Sequence, residues 1–167
     1  MIFKSKKKVI VFLYGVGGHR AQMIRLLERI KNENHEKYDF IAITEYGGIV
    51  REQFLKSYEV SELRSKYKSK LNFFRTLKSV FLHLKLSFII SLKYNVMLSV
   101  STGPGIAIIP SYVFKLFNSK IVFIESWSRF EKASFAGKFI YPIANLFLIQ
   151  NKELTSVYPK SKYSGRL

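Results

Sequence analysis

Val9-Ile10-Val11-Phe12-Leu13-Tyr14 is an unbroken apolar run of strand length, and it ends in the cluster Gly15-Val16-Gly17-Gly18-His19. Met23, Leu26, Leu27 and Ile30 follow at helical spacing, so the stretch predicts strand, tight turn, helix. That is the opening unit of a parallel α/β sheet. Glycines in such a turn let backbone N–H groups face outward at a helix N-terminus, where the dipole adds about 0.3 to 1 kcal/mol of attraction for an anion. A phosphate is the expected guest at Gly15, Gly17 and Gly18, with a purely structural turn as the alternative. The dinucleotide fingerprint G-x-G-x-x-G is not satisfied, because Gly18 and His19 follow Gly17 at once.

The rest of the chain repeats the theme. Tyr38 to Thr44 reads as a second strand, Ile49 to Lys56 as a short helix, Tyr58 to Leu63 as a third strand and Arg64 to Lys70 as a basic exposed loop. Leu71 to Lys93 is the longest helical pattern, with Phe74, Leu77, Phe81, Leu84 and Phe88 recurring on one face that is expected to pack on the sheet. Val96 to Ser101 predicts a buried strand running into Thr102-Gly103-Pro104-Gly105, a second glycine turn before a helix over Ile106 to Phe117. Ile121 to Glu125 predicts a central strand delivering Glu125-Ser126-Trp127-Ser128-Arg129 at its carboxyl end, where open α/β sheets bind ligands. A helix over Ser134 to Ile143, a strand over Leu146 to Gln150 and an irregular tail from Tyr158 complete the pattern.

At 167 residues and 48% hydrophobic content, the expectation is one folded domain over residues 1–167. With no cysteine, neither a disulfide framework nor a thiolate metal site is available, and His19, His35 and His83 show no ligand spacing, so no metal is expected. The net charge of +17 implies attraction to polyanions: nucleic acid, anionic lipid or phosphorylated substrates. No nucleic-acid motif is visible, and the basic residues alternate with aliphatics rather than with stacking aromatics. Phe3 with Lys6, Lys7 and Lys8, and Arg75, Lys78 and Lys85 with Leu82, Leu86 and Ile89, are combinations that suit a lipid headgroup surface, the alternative for the helix being a face covered by a partner protein or simply solvated. The uncharged stretch from Tyr94 to Phe114 is interrupted by Ser99, Ser101, Thr102, Gly103, Pro104 and Gly105, which argues against a transmembrane span.

Gly17-Gly18-His19, Gly103-Pro104-Gly105, Glu125-Ser126 with Arg129, and the tail Tyr158-Pro159-Lys160 with Gly165-Arg166-Leu167 together resemble a known family. It is the small, membrane-associated subunit of the two-piece glycosyltransferases of lipid-linked oligosaccharide and capsular polysaccharide synthesis. The same plan resembles the N-terminal half of the single-chain transferase that makes the peptidoglycan lipid precursor. The resemblance implies a Rossmann-like parallel sheet with helices on both faces, like the N-terminal half of a GT-B glycosyltransferase. Members usually carry Ser or Thr where Val16 stands and often Leu where Arg20 stands, so a hydroxyl is lost here and a cation gained.

The implied chemistry is inverting transfer of a sugar from a UDP donor to an acceptor linked to polyprenyl diphosphate, at the cytoplasmic face of the cell membrane. The acceptor diphosphate is expected on Gly15, Gly17, Gly18, Arg20, Thr102, Gly103, Gly105, Ser126 and Arg129, with Glu125 or His19 as general base or acceptor-positioning group. For Glu125 the structural alternative is an acid paired with Arg129; for His19 it is an imidazole that stabilises its turn. No cofactor is expected. The stretch after Gln150 is shorter than the roughly 100 residues of a second nucleotide-binding domain, so the donor is expected on a partner subunit resembling a GT-B C-terminal half. Phe135, Phe139, Tyr141 and the tail are expected near that partner. The alternative is a non-catalytic recruiter that tethers and activates the partner.

Overall fold

Strand β1 (Lys8–Tyr14) buries both of its faces: Val9, Val11 and Leu13 enter one apolar cluster, and Phe12 and Tyr14 enter another. A strand covered on both sides reads as a continuous apolar run, which is why its sequence shows no alternation. The computed structural model describes residues 6–31, 37–48, 54–63 and 70–167. Helix α1 (Gly18–Lys31) places Met23 and Leu27 in the second cluster. Strands β2 (Asp39–Glu45) and β3 (Lys56–Val60) follow on one side of β1.

Helix α2 (Lys70–Lys93) then carries the chain across to β4 (Asn95–Ser101), on the other side of β1. From there α3 (Ile108–Leu116), β5 (Lys120–Ile124), α4 (Phe135–Ile140), β6 (Leu146–Ile149) and β7 (Lys162–Tyr163) extend the sheet outward. The order is β3-β2-β1-β4-β5-β6-β7, with every pairing parallel. Ile90 of α2, Phe114 of α3 and Ile140 of α4 join the first cluster, so helices cover both faces of the sheet. The expected Rossmann-like architecture is therefore present. The order reverses between β1 and β4, and the crevice at the carboxyl ends of those two strands is the switch point where such sheets bind ligands.

The orientation of α2 corrects the sequence reading. Phe74, Leu77, Phe81, Leu84 and Phe88 do not pack on the sheet; they are exposed, Phe74 to 69%. The buried stripe is Ser79, His83, Ser87 and Ser91 with Ile90. The serines can face inward because their hydroxyls are satisfied: Ser87 donates to the His83 carbonyl (2.7 Å) and Ser91 to that of Ser87 (2.9 Å) one turn back, while Ser79 donates to the Glu62 carbonyl (3.1 Å) outside the helix. Leu86, assigned to the outward basic and apolar face, is half-buried against the core instead.

Smaller corrections concern boundaries. The third strand lies at Lys56–Val60, two residues earlier than expected, because it pairs in register with Ile41–Glu45. The tail contains a short strand, β7, paired to β6 through Leu148 and Ile149. Phe3, residues 49–53 of the expected short helix and residues 64–69 of the basic loop lie outside the described residues.

Candidate functional site

The two glycine turns meet at the switch point. Gly17 holds φ of 60° and Gly103 φ of 101°, backbone that L side chains rarely adopt. At Gly103 space matters too, since a Cβ there would come within 3.2 Å of the His19 ring. This close approach lets the turns clasp each other. His19 Nδ1 lies 2.6 Å from the Thr102 carbonyl oxygen, and the Thr102 hydroxyl donates to the His19 carbonyl at 2.8 Å. A carbonyl can only accept, so the contact assigns the proton of the neutral ring to Nδ1 and leaves Nε2 as the nitrogen able to take one.

A pocket of about 190 Å3 opens beside this clasp, lined by His19, Gly103, Gly105, Ser126, Ser128, Arg129, Ser134, Phe135 and Ala136. Its walls come from three strand ends: β1 supplies His19 through α1, β4 the second turn, and β5 the loop from Glu125 to Ser134. The Ser126 and Ser128 hydroxyls are 2.9 Å apart. Asn151 holds the loop from behind by donating to the carbonyls of Trp127 (2.8 Å) and Arg129. Arg129 is the cation of the lining. Hydroxyls, a cation and a helix-entry turn make the pocket suited to an anionic, oxygen-rich ligand.

Of the residues expected to cradle phosphate, the pocket gathers Gly103, Gly105, Ser126 and Arg129. Gly17, Gly18 and Thr102 belong to the two turns but not to the lining, the two glycines being exposed, and Arg20 is half-buried on α1, also outside the lining. Gly15 is explained differently: the Glu45 carboxyl lies against it, where a Cβ would collide, and accepts the Val16 N–H at 3.2 Å. One backbone donor of the first turn thus already has a carboxylate partner. Only the pairing of β2 with β1 brings Glu45 there, so no local motif announces it.

Glu125 requires a larger correction, because it does not face the pocket. It is fully buried, with Oε1 accepting the Ser126 N–H (2.8 Å) and Oε2 accepting the Ser134 N–H (3.2 Å) and the Tyr158 hydroxyl (2.7 Å). Both carboxylate oxygens are thus engaged away from the pocket, and neither is turned toward a substrate hydroxyl in this structure. Nor does it pair with Arg129. Ser134, which lines the pocket, and Tyr158 escaped the sequence reading of the site; Ser128 stands in the strand-end motif but has no role in that reading, and Phe135 is expected there at the partner contact rather than in the pocket.

With this geometry in hand, kinship becomes informative. A family model described as oligosaccharide biosynthesis protein Alg14 like matches residues 9–167. The chain belongs to that family. The UDP-N-acetylglucosamine transferase subunit ALG14 of Kluyveromyces lactis is 28% identical over 191 residues, covering 96% of this chain and 79% of that protein. The human protein of the same name is 27% identical over 184 residues, covering 95% and 82%. Among solved structures, Acinetobacter baumannii MurG superposes with a TM-score of 0.62 at 14% identity, over 88% of this chain and 42% of that one. A UDP-N-acetylglucosamine 2-epimerase gives 0.65 at 10% identity, over 95% and 46%. The chain spans under half the length of both structures, and at such identities the likeness is one of fold: a Rossmann-like half of the GT-B type.

Proposed function

We propose that this chain is the acceptor-side and membrane-side subunit of a two-component glycosyltransferase. In this reading a partner resembling a GT-B C-terminal half binds the UDP-sugar, and this chain binds an acceptor linked to polyprenyl diphosphate. The observation that carries the reading is the pocket at the β1/β4 switch point, where His19 meets Gly103, Ser126 and Arg129 in a chain whose relatives are named transferase subunits. The acceptor diphosphate takes the Gly103–Gly105 turn and Arg129, neutralising charge that would otherwise keep it in water.

His19 is then the remaining candidate base. Thr102 orients the ring through Nδ1, Nε2 takes the proton from the acceptor hydroxyl as oxygen attacks the anomeric carbon, and the sugar leaves UDP with inversion. The leaving diphosphate belongs to the partner's side of the cleft. The expected outcome for His19→Ala is a loss of turnover of about 100-fold to 10,000-fold with partner binding intact, checked by radiolabelled sugar transfer beside co-purification.

The outward face of α2 supports attachment to a membrane surface, which this reading places on the cytoplasmic side. Phe73, Phe74, Leu77, Phe81, Leu82, Phe88 and Ile89 are exposed alongside Arg75, Lys78 and Lys85. Lys6 reaches the same helix, its Nζ donating to the Ser91 carbonyl at 3.4 Å. No helix among the described residues is long and apolar enough to cross a membrane. The burial of Glu125 favours a second reading, a non-catalytic recruiter, because it removes one of two candidate bases; near wild-type turnover of His19→Ala would select it.

A further inference from the structure

Glu125 is a buried carboxylate facing three hydrogen-bond donors, and two of those donors are the backbone of the pocket wall. Ser126 and Ser134 begin and end the loop that forms that wall, and both line the pocket. The third donor, the Tyr158 hydroxyl, comes from the tail. Its ring is fixed in an aromatic cluster, 4.4 Å from the centre of Phe147 and 4.9 Å from that of Tyr141. Gly137 of α4 completes the fit, since a Cβ there would overlap Tyr158 Oη and Glu125 Oε2. Ser134 caps the same helix by accepting the Gly137 N–H at 2.8 Å.

A buried charge is tolerated only when its lone pairs are engaged, and removing one donor leaves it short of compensation. Of the three donors, only Tyr158 belongs to a different part of the chain and to a packed cluster. Burial, and after it the Glu125 carboxylate, push the Tyr158 phenol well above its ordinary range, so it stays a donor at any working pH.

We propose that Tyr158 and Glu125 are a positioning pair that holds the loop from Ser126 to Ser134, and with it Arg129 and Phe135, in the shape that binds the acceptor diphosphate. The binding half of this statement rests on the reading of the pocket given above; the positioning half rests on the hydrogen bonds alone. Neither residue touches the ligand. Glu125 acts through the Ser126 and Ser134 amides, and Tyr158 acts through Glu125.

The test uses the full chain with Tyr158→Phe, which keeps the ring and removes the hydroxyl, Glu125→Gln, and both together. Gly137→Ala keeps both side chains while pushing them apart, and serves if Tyr158→Phe fails to fold. Amide hydrogen exchange of the segment 125–137 is read by mass spectrometry, and inorganic pyrophosphate is titrated calorimetrically. Each single variant is expected to speed exchange in that segment and to weaken pyrophosphate binding about tenfold, the double variant being no worse than the worse single one. Unchanged exchange in Tyr158→Phe and in Gly137→Ala overturns the proposal. A wild-type chain that does not bind pyrophosphate overturns the cradle instead, while exchange still decides the pair. In the complex, a loss of 100-fold or more in Glu125→Gln with Tyr158→Phe at the wild-type rate would make Glu125 the base and sink the positioning role.

Discussion

Thr102 and His19 hold each other by two short hydrogen bonds, and the consequence is an imidazole with one nitrogen committed and the other available. Gly103 makes that clasp possible. Alanine at 103 would meet both a φ of 101° and the His19 ring, so Gly103→Ala is expected to cost about 1 to 3 kcal/mol of stability and to lower turnover in the folded complex. Urea unfolding beside activity separates the two effects. His83 invites a different test. Among the described residues neither of its ring nitrogens has a partner at hydrogen-bond geometry, and burial pushes its pKa below the ordinary value, the nearby Ser61 backbone offsetting this only in part. The unfolded chain therefore takes up a proton near pH 6.5 that the folded chain refuses. Stability from this residue is complete above that pH and is lost as pH falls toward the depressed folded value, at up to about 1.4 kcal/mol per unit. Unfolding midpoints measured between pH 7.5 and 5.5 are expected to fall for wild type and to flatten for His83→Leu.

Helix α2 is the element in which polarity is inverted relative to a packed surface helix: serines and a histidine inside, phenylalanines and leucines outside. Apolar exposure continues onto α3 at Leu116, 82% exposed, and the two helices meet through the Phe88 and Phe117 rings. An apolar band this broad on an exposed face calls for an occupant. For a lipid surface, Lys78→Glu with Lys85→Glu is expected to weaken binding to anionic vesicles more than to neutral ones. Phe74→Ser with Phe81→Ser is expected to weaken both, without loss of folding stability, because neither ring is buried. Vesicle flotation and thermal unfolding check this pair, and equal flotation of all variants would assign the face to a protein. The same helix shows where sequence reading stops. Its periodicity identified an apolar stripe correctly, yet period alone does not say whether sheet, lipid or partner covers it. The strands of β1, β4 and β5 were legible because a central parallel strand is apolar on both faces. Glu45 and Tyr158 were not, since each reaches its place only through strand pairing or tail packing between residues far apart in sequence.

At the scale of the whole molecule, seven parallel strands present one crevice at the point where their order reverses. Everything anionic in the proposed chemistry converges there, and the net charge of +17 favours the approach of a diphosphate and of a lipid surface alike. The chain covers under half the length of the two solved structures it resembles, and the proposed function assigns the donor site to a second subunit. The most direct measurement is transfer from a UDP-sugar donor to a polyprenyl-diphosphate-linked acceptor by this chain alone, by a donor-binding partner alone, and by the two co-expressed. The account expects transfer by the pair and none above background by either chain. Sustained turnover by this chain alone, or by the partner alone at the rate of the pair, would contradict it.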